Sequence, residues 1–359
     1  MKKLKVLVAM SGGVDSSVAA LMMKKKGYEV IGIFMKNWSD TKNELGECSW
    51  KDERKMAMKI SAMLGIPLIT IDSEKEYRKE VIEKMFQKYK KGITPNPDID
   101  CNQKIKFPIL IKTAKKLGAK YVVTGHYSRI KKDELFRAKD ESKDQSYFLY
   151  RIKQSELKHL LFPIGNYTKK QIRKIAEKNK FPNYNKKGTV GICFVGKINL
   201  KEFLKKKIKP KKGKIFDPKG NLIGEHDGIY YYTIGQRLGP RYGFDIKKSD
   251  KDKKFLKRWY VAKKNAKKNE IIAAPEGHKL NFRKEIFLKE VHWISDKPKT
   301  NSKLKARIRQ VGELLPCKIE FGKKIKVTLK KPITGVSEGQ AIVLYKRKKV
   351  LGGGVISFK

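Results

Sequence analysis

Two kinds of segment in this chain carry residues that could do chemistry: a glycine turn lined with hydroxyls, and two loops that each present a cysteine. The turn is Ser11-Gly12-Gly13-Val14-Asp15-Ser16, directly after the apolar run Leu4-Lys5-Val6-Leu7-Val8-Ala9-Met10. A strand that enters a glycine turn and then a helix start is a ready phosphate cradle. Glycines let the backbone approach an anion, and free N–H groups with the helix dipole favour negative charge. The lysine of a G-x-x-x-x-G-K-[ST] loop is missing, so the segment differs from the loop of common kinases and ATPases. Small hydroxyls (Ser11, Ser16, Ser17) beside Asp15 suit an enzyme that holds pyrophosphate as a leaving group, with the carboxylate helping to hold Mg²⁺. A plain Gly-Gly turn between strand and helix has the same local pattern.

The first cysteine loop is Thr94-Pro95-Asn96-Pro97-Asp98-Ile99-Asp100-Cys101-Asn102. Two prolines stiffen it, and it delivers Asp98 and Cys101 just before a helix expected over 103–117. A helix N-terminus stabilises thiolate, which would place Cys101 as a nucleophile, with Asp98 as general acid or base. A buried cysteine beside a turn-forming aspartate fits the same residues. The second loop, Gly188-Thr189-Val190-Gly191-Ile192-Cys193-Phe194-Val195-Gly196, brackets a thiol with glycines. It reads either as a presented thiol or as a short buried strand. Two such thiols can carry sulfur or exchange through a transient disulfide. Cys48 and Cys317 are read as structural or incidental. No C-x-x-C occurs, so no structural zinc site is expected. His126 follows a strand end at Gly125, and Lys143-Asp144-Gln145-Ser146-Tyr147-Phe148-Leu149 mixes polar and aromatic groups suited to base or phosphate contacts, or to a solvated turn.

The elements that must position these residues alternate through the first third. Helical patterns over 16–26, 52–64, 74–90 and 103–117 separate apolar runs at Val30–Met35, Pro67–Ile71 and Tyr121–Gly125. Such alternation implies a doubly wound, mostly parallel sheet. Ligands bind such sheets at the strands' carboxyl ends, so Ser11–Ser16, Met35 and Gly125-His126 share one edge. A further amphipathic helix is expected over 167–179. The basic stretch 205–213 reads as a boundary. Short β runs follow, Tyr230–Ile234 among them, and then half-exposed alternating strands to the end, which suggests a small antiparallel barrel. The expected division is a catalytic domain over 1–204, a central domain over 205–280 and a C-terminal β-barrel over 281–359.

The formal net charge of +50 points to a nucleic-acid partner. Only 13 of the 86 basic residues are arginine, however, so lysine-rich composition bias shares the credit. No run of about 18 apolar residues exists, so no membrane span is expected. The basic-then-apolar start is broken at Ser11 and reads as a strand rather than a signal peptide, which leads to a cytoplasmic expectation.

Taken together these segments resemble one family. The Ser-Gly-Gly-x-Asp-Ser loop is similar to that of the PP-loop ATP-pyrophosphatase superfamily. Within it, Phe34–Trp38, Thr94–Asn102, Gly125-His126-Tyr127, Lys143–Leu149, Gly191-Ile192-Cys193-Phe194, Tyr232–Arg237, Gly339-Gln340 and Leu351–Gly354 resemble tRNA-specific 2-thiouridylases along essentially the whole chain. The resemblance implies ATP-dependent adenylation of the C2 oxygen of the wobble uridine of lysine, glutamate and glutamine tRNAs, followed by sulfur transfer. It implies that Ala9, Met10, Ser11, Gly12, Gly13, Val14, Asp15 and Ser16, with Met35 and Gly125, bind ATP, and that Mg²⁺ takes part. Asn96, Pro97 and Asp98 would meet the target base. Cys193 would carry a persulfide received from a donor protein, and Cys101 would help release its sulfur, leaving a Cys101–Cys193 disulfide for reduction. His126, Lys143, Asp144, Gln145, Arg309, Gln310 and Gln340 would contact tRNA. The family's usual Asp-Ser before Gly-Ile-Cys-Phe is Gly188-Thr189 here, which removes a carboxylate. Two other readings compete: a PP-loop enzyme that adenylates a small-molecule carbonyl, and a non-catalytic tRNA-binding module.

Overall fold

Val6, Leu7 and Val8 are fully buried, and that run makes β1 (Lys5–Ala9) the centre of a parallel sheet. The structure is a computed structural model that describes residues 3–40, 48–186, 188, 193, 195, 199–239, 258–310 and 312–358. The sheet adds β2 (Glu29–Lys36), β3 (Leu68–Asp72), β4 (Tyr121–Val123) and, beyond a hairpin of β5 (Ser128–Lys131) and β6 (Glu134–Arg137), β7 (Leu160–Leu161). Its order is β3-β2-β1-β4-β7, with all pairings parallel. Side chains alternate across a strand. Val6 and Val8 therefore join a core with the helices Val14–Lys25, Ser49–Leu64 and Lys169–Lys178. Leu7 enters the opposite core with Tyr77, Ile105 and Phe107. Chain order reverses between β1 and β4, which opens a crevice at their carboxyl ends.

The helical segments differ from the expected ones at the place that matters. Asn96 caps a helix at Pro97–Cys101, its side-chain oxygen accepting from the Ile99 N–H at 3.4 Å, with proline at the first turn. The helix runs on through a π turn, Asn102–Lys106, into Phe107–Lys116. Cys101 therefore lies inside a continuous helical stretch rather than before it. A second π turn, Arg78–Glu83, follows Tyr77.

After the helix Leu200–Lys205 come β8 (Gly213–Phe216), β9 (Leu222–His226), β10 (Arg237–Leu238), β11 (Trp259–Asn265) and β12 (Glu270–Pro275), in the sheet order β10-β11-β12-β8-β9. The β run expected at Tyr230–Ile234 is instead a 3₁₀ turn, Ile229–Tyr231. The Tyr230 and Tyr231 hydroxyls donate to the carbonyls of Lys209 and Ile208, and the hydroxyl of Tyr232, just after the turn, donates to the Asp227 carboxylate. The remaining strands, β13 (Phe282–Trp293), β14 (Lys303–Arg307), β15 (Leu315–Glu320), β16 (Ile325–Thr334), β17 (Ala341–Lys346) and β18 (Lys349–Ser357), form the expected antiparallel barrel, closed by β13 on β18. Its core is aliphatic, with Ile286, Leu304, Ile319, Val327 and Ile342. The β5–β6 hairpin, turned by Lys132-Asp133 with φ of 49° and 56°, extends the barrel sheet at Lys349↔Phe136. That register joins the hairpin that follows β4 to the barrel.

Candidate active site

The Ser11–Ser16 loop lies in the crevice beside β1. Gly13 caps the helix Val14–Lys25 with no side-chain hydrogen bond, so the first-turn N–H groups are left for a ligand. Ser16 and Ser17 hydroxyls donate back to the Gly13 carbonyl at 2.9 and 3.0 Å, and the Ser11 N–H donates to Ser16 Oγ at 3.2 Å. The Asn183 amide holds the loop from behind, donating to the Gly12 carbonyl and to Ser17 Oγ, both at 3.0 Å. Two glycines make room. Gly12 has φ +73°, and a Cβ there would lie 2.3 Å from the Glu53 carbonyl. A Cβ on Gly125 would lie 2.7 Å from Ser16 N. A backbone cradle that only glycine permits, over uncapped N–H groups, fits a polyphosphate. Asp15 is engaged: Tyr127 Oη donates to it at 2.8 Å, and Lys169 Nζ lies 2.7 Å from both of its oxygens. Ala9, Met10 and Met35 line the strand ends, the latter two buried.

Residues 125–127 connect this cradle to the thiols. Gly125 packs on Ser16 and Tyr127 reaches Asp15. Between them, the His126 ring sits 5.7 Å from both Phe107 and Phe162. Thr124 Oγ1 and His126 Nδ1 share a 2.6 Å hydrogen bond, and burial, assisted by Lys106, holds the imidazole well below its usual pKa, hence neutral.

Cys101 is buried, and its thiol is hydrogen-bonded to that of Cys193, which is half-buried. The Cys193 N–H donates to Asp98 Oδ1 at 2.8 Å, and Tyr77 Oη donates to the Cys193 carbonyl at 2.5 Å. Lys106 Nζ lies 3.6 Å from Cys193 Sγ. Burial, then the Cys193 sulfur, push the Cys101 thiol well above its ordinary pKa. The expected activation of Cys101 by a helix N-terminus is therefore reversed. Cys193 is lowered, first by the Cys101 hydrogen bond and, against burial, by the Lys106 charge. Burial raises Asp98, against the Cys193 N–H and Lys106. Burial opposes charge on Lys106, but Cys193, Cys101 and Asp98 outweigh it and raise its pKa. The arrangement is a thiol pair of unequal acidity, with a cation at the more acidic sulfur and a carboxyl that can exchange a proton. Thr189–Ile192, Phe194 and Gly196 lie outside the described residues, while Gly188 has open space around its Cα.

The barrel side closes over the Asp98 loop. Gln340 Nε2 donates to the Thr94 and Pro95 carbonyls at 3.0 and 2.7 Å, and Asn96 Nδ2 donates to Gln340 Oε1 at 3.4 Å. Lys143 and Arg309 are exposed. Asp144 is different: its side chain has no exposed surface and accepts from Arg307 at 2.8 Å, Ser146 at 3.0 Å and the Ala138 N–H at 3.0 Å. A carboxylate so enclosed fastens the hairpin to the barrel. Gln145 accepts from the Tyr127 N–H at 2.9 Å and Gln310 donates to the Asp144 carbonyl, so both brace the same junction. Sequence reasoning missed Lys106, Tyr77 and Lys169, which packing brings in from other positions.

Three family models match the chain in order: the tRNA methyl transferase HUP domain over residues 4–197, the tRNA methyl transferase PRC-barrel domain over 201–275 and the aminomethyltransferase beta-barrel domain over 283–356. The chain is 40% identical to the tRNA-specific 2-thiouridylase MnmA of Enterococcus faecalis over 99% of its own length and 95% of that protein. It is 39% identical to MnmA 2 of Aliarcobacter butzleri and 38% identical to MnmA of Nitrosomonas europaea, each over 99% of both chains. With a phosphate cradle, a paired thiol site and a barrel in one chain, matched end to end by these relatives, the protein belongs to the tRNA-specific 2-thiouridylase family.

Proposed function

We propose that the chain catalyses ATP-dependent 2-thiolation of the wobble uridine of tRNA, giving 2-thiouridine, AMP and pyrophosphate. The observation that carries this reading is the Cys101–Cys193 contact beside Lys106 and Asp98. ATP supplies the adenylyl group that turns the C2 oxygen into a leaving group. The loop N–H groups, Ser11 and Ser16 hold its phosphates, and Asp15 is the carboxylate available to Mg²⁺ once its pairing with Lys169 opens. Asn96, Pro97 and Asp98 border the target base.

Cys193, the more acidic thiol, accepts a sulfur atom from a persulfide-bearing donor protein. The terminal sulfur of Cys193–S–S⁻ attacks C2, a C–S bond forms, and AMP departs with the former O2. Cys101 is held protonated, so its proton must leave before it acts, and Asp98 is the neighbouring acceptor. The Cys101 thiolate then attacks Cys193 Sγ. The S–S bond breaks, its electron pair stays on the sulfur bound to C2, and a Cys101–Cys193 disulfide forms that a two-electron thiol reductant reopens. Lys143 and Arg309 are exposed cations suited to tRNA phosphates. The position of Gln340, clamping the Asp98 loop, links barrel-bound RNA to the reacting base. The domain limits 1–204, 205–280 and 281–359 remain our proposed division.

Cys193→Ser tests the sulfur-carrying role. The variant is expected to lose 2-thiouridine formation while tRNA affinity survives; normal 2-thiouridine in tRNA from cells carrying only this variant overturns it.

A further inference from the structure

Cys193 is tied down on both sides of its Cα. Its N–H donates to Asp98 Oδ1 at 2.8 Å, and its carbonyl accepts from Tyr77 Oη at 2.5 Å. These bonds hold the peptide units before and after the residue, and together they set the direction in which its sulfur points. Asp98, Cys101 and Lys106 all belong to the continuous helical stretch that starts at Pro97. Tyr77 comes from elsewhere: it ends the short helix Glu74–Tyr77, just before the π turn Arg78–Glu83. It ties Cys193 to a second element.

The Tyr77 ring is itself fixed. It has no exposed surface, and it meets the Trp38 ring edge-on at 6.4 Å and 63°. Trp38 in turn packs on Phe203 at 6.0 Å, and Phe203 stacks on Phe86 at 5.4 Å. A buried tyrosine hydroxyl needs a partner, and any buried carbonyl would serve; the one it takes belongs to the residue that carries the sulfur. Burial, followed by Cys101, Cys193 and Asp98, raises the phenol well above its ordinary pKa, so it stays protonated and remains a donor.

The closing step of sulfur transfer needs such an anchor. Cys101 is buried on a helix, so its position is set. For the disulfide to close, the Cys193 sulfur must come to about 2.05 Å from that of Cys101 within a narrow range of dihedral angle. How readily it does so depends on how little freedom Cys193 keeps.

We propose that Tyr77 is a positioning residue for sulfur transfer, its hydroxyl holding the Cys193 carbonyl so that the Cys193 sulfur stays turned toward Cys101 and Lys106. It acts through Cys193 rather than on tRNA or ATP. The inference rests on the sulfur-transfer reading above and deepens it.

The test equilibrates the full chain, as wild type, Tyr77→Phe and Tyr345→Phe, in mixtures of reduced and oxidised glutathione. The two thiols lose two protons and two electrons, an S–S bond forms, and oxidised glutathione becomes two reduced molecules. Acid quenching, alkylation and mass spectrometry of the Cys101 and Cys193 peptides give the equilibrium constant. Phenylalanine keeps the ring and its packing on Trp38, so Tyr77→Phe folds. Tyr345→Phe removes another fully buried hydroxyl, bonded to Ser146 Oγ at 3.3 Å, and controls for general loosening. Loss of one hydrogen bond predicts a constant about three- to tenfold lower in Tyr77→Phe, against a change of less than about twofold in Tyr345→Phe. The kcat for 2-thiouridine formation should fall in Tyr77→Phe while the KM values for ATP and tRNA change less than about twofold. A constant within about twofold of wild type in Tyr77→Phe, or equal shifts in both variants, overturns the role of Tyr77 alone. Wild-type protein that forms no Cys101–Cys193 disulfide at any glutathione ratio overturns the thiol-pair reading itself, and this inference with it.

Discussion

Replacing Lys106 with methionine keeps most of its length and removes its charge. The Lys106 Nζ–Cys193 Sγ separation is 3.6 Å. At that distance unit charges attract by roughly 1 kcal/mol under water-like screening and roughly 4–5 kcal/mol at an effective dielectric of about 20. At about 1.4 kcal/mol per pH unit, the range corresponds to about 1–3 units in the Cys193 ionisation midpoint. Because Cys193 is half-buried, the lower part of that range is expected. The sign follows from charge: the cation favours the thiolate, so its loss moves the midpoint upward and thiolate at neutral pH becomes scarcer. The assay is the pH dependence of iodoacetamide alkylation, read by mass spectrometry of the peptide containing Cys193, which separates it from Cys48, Cys101 and Cys317. Lys106→Arg should restore a low midpoint, whereas a merely structural role would leave the midpoint of a folded methionine variant unmoved. Identical midpoints in wild type and Lys106→Met refute the reasoning.

Three further outcomes are expected. Gly125→Ala places a Cβ 2.7 Å from Ser16 N; it should cost about 1–3 kcal/mol in urea unfolding and weaken ATP binding, and an unchanged ATP affinity counts against the cradle. Asp144→Asn leaves the buried guanidiniums of Arg137 and Arg307 without their shared counter-charge, so unfolding free energy should fall by about 3 kcal/mol; a change within about 0.5 contradicts its fastening role. Arg309→Ala should weaken tRNA binding and lower the slope of log affinity against log salt by about 1, and an unaltered slope removes Arg309 from the RNA face.

What the sequence revealed follows from how local each feature is. The Ser11–Ser16 turn was readable because strand, glycines and hydroxyls are contiguous, and β1 feeds it directly. The parallel sheet was readable because Val6–Val8, Ile33 and Val122 sit in short apolar runs between helical patterns. Cys101 and Cys193 were visible as residues, but their roles were not, since acidity is set by surroundings. The sequence pattern puts the helix start after Cys101 and so points to an activated thiol there; the Asn96 cap and Pro97 start the helix earlier, and burial raises the thiol instead. Lys106 was invisible for a geometric reason. Five residues along a regular helix is about 140° around from the start, whereas the wider π turn brings Lys106 back toward the cysteines. Lys169 and Tyr77 come from distant helices, and Asp144 looked like a surface residue because its burial depends on β14 and the β5–β6 hairpin meeting across the barrel.

The most direct measurement is nucleoside mass spectrometry of unmodified tRNA incubated with the protein, ATP, Mg²⁺ and a persulfide donor. The account predicts 2-thiouridine at the wobble position, dependent on ATP and absent with Cys193→Ser. No 2-thiouridine, together with pyrophosphate released only when a small carbonyl metabolite is added, would contradict it.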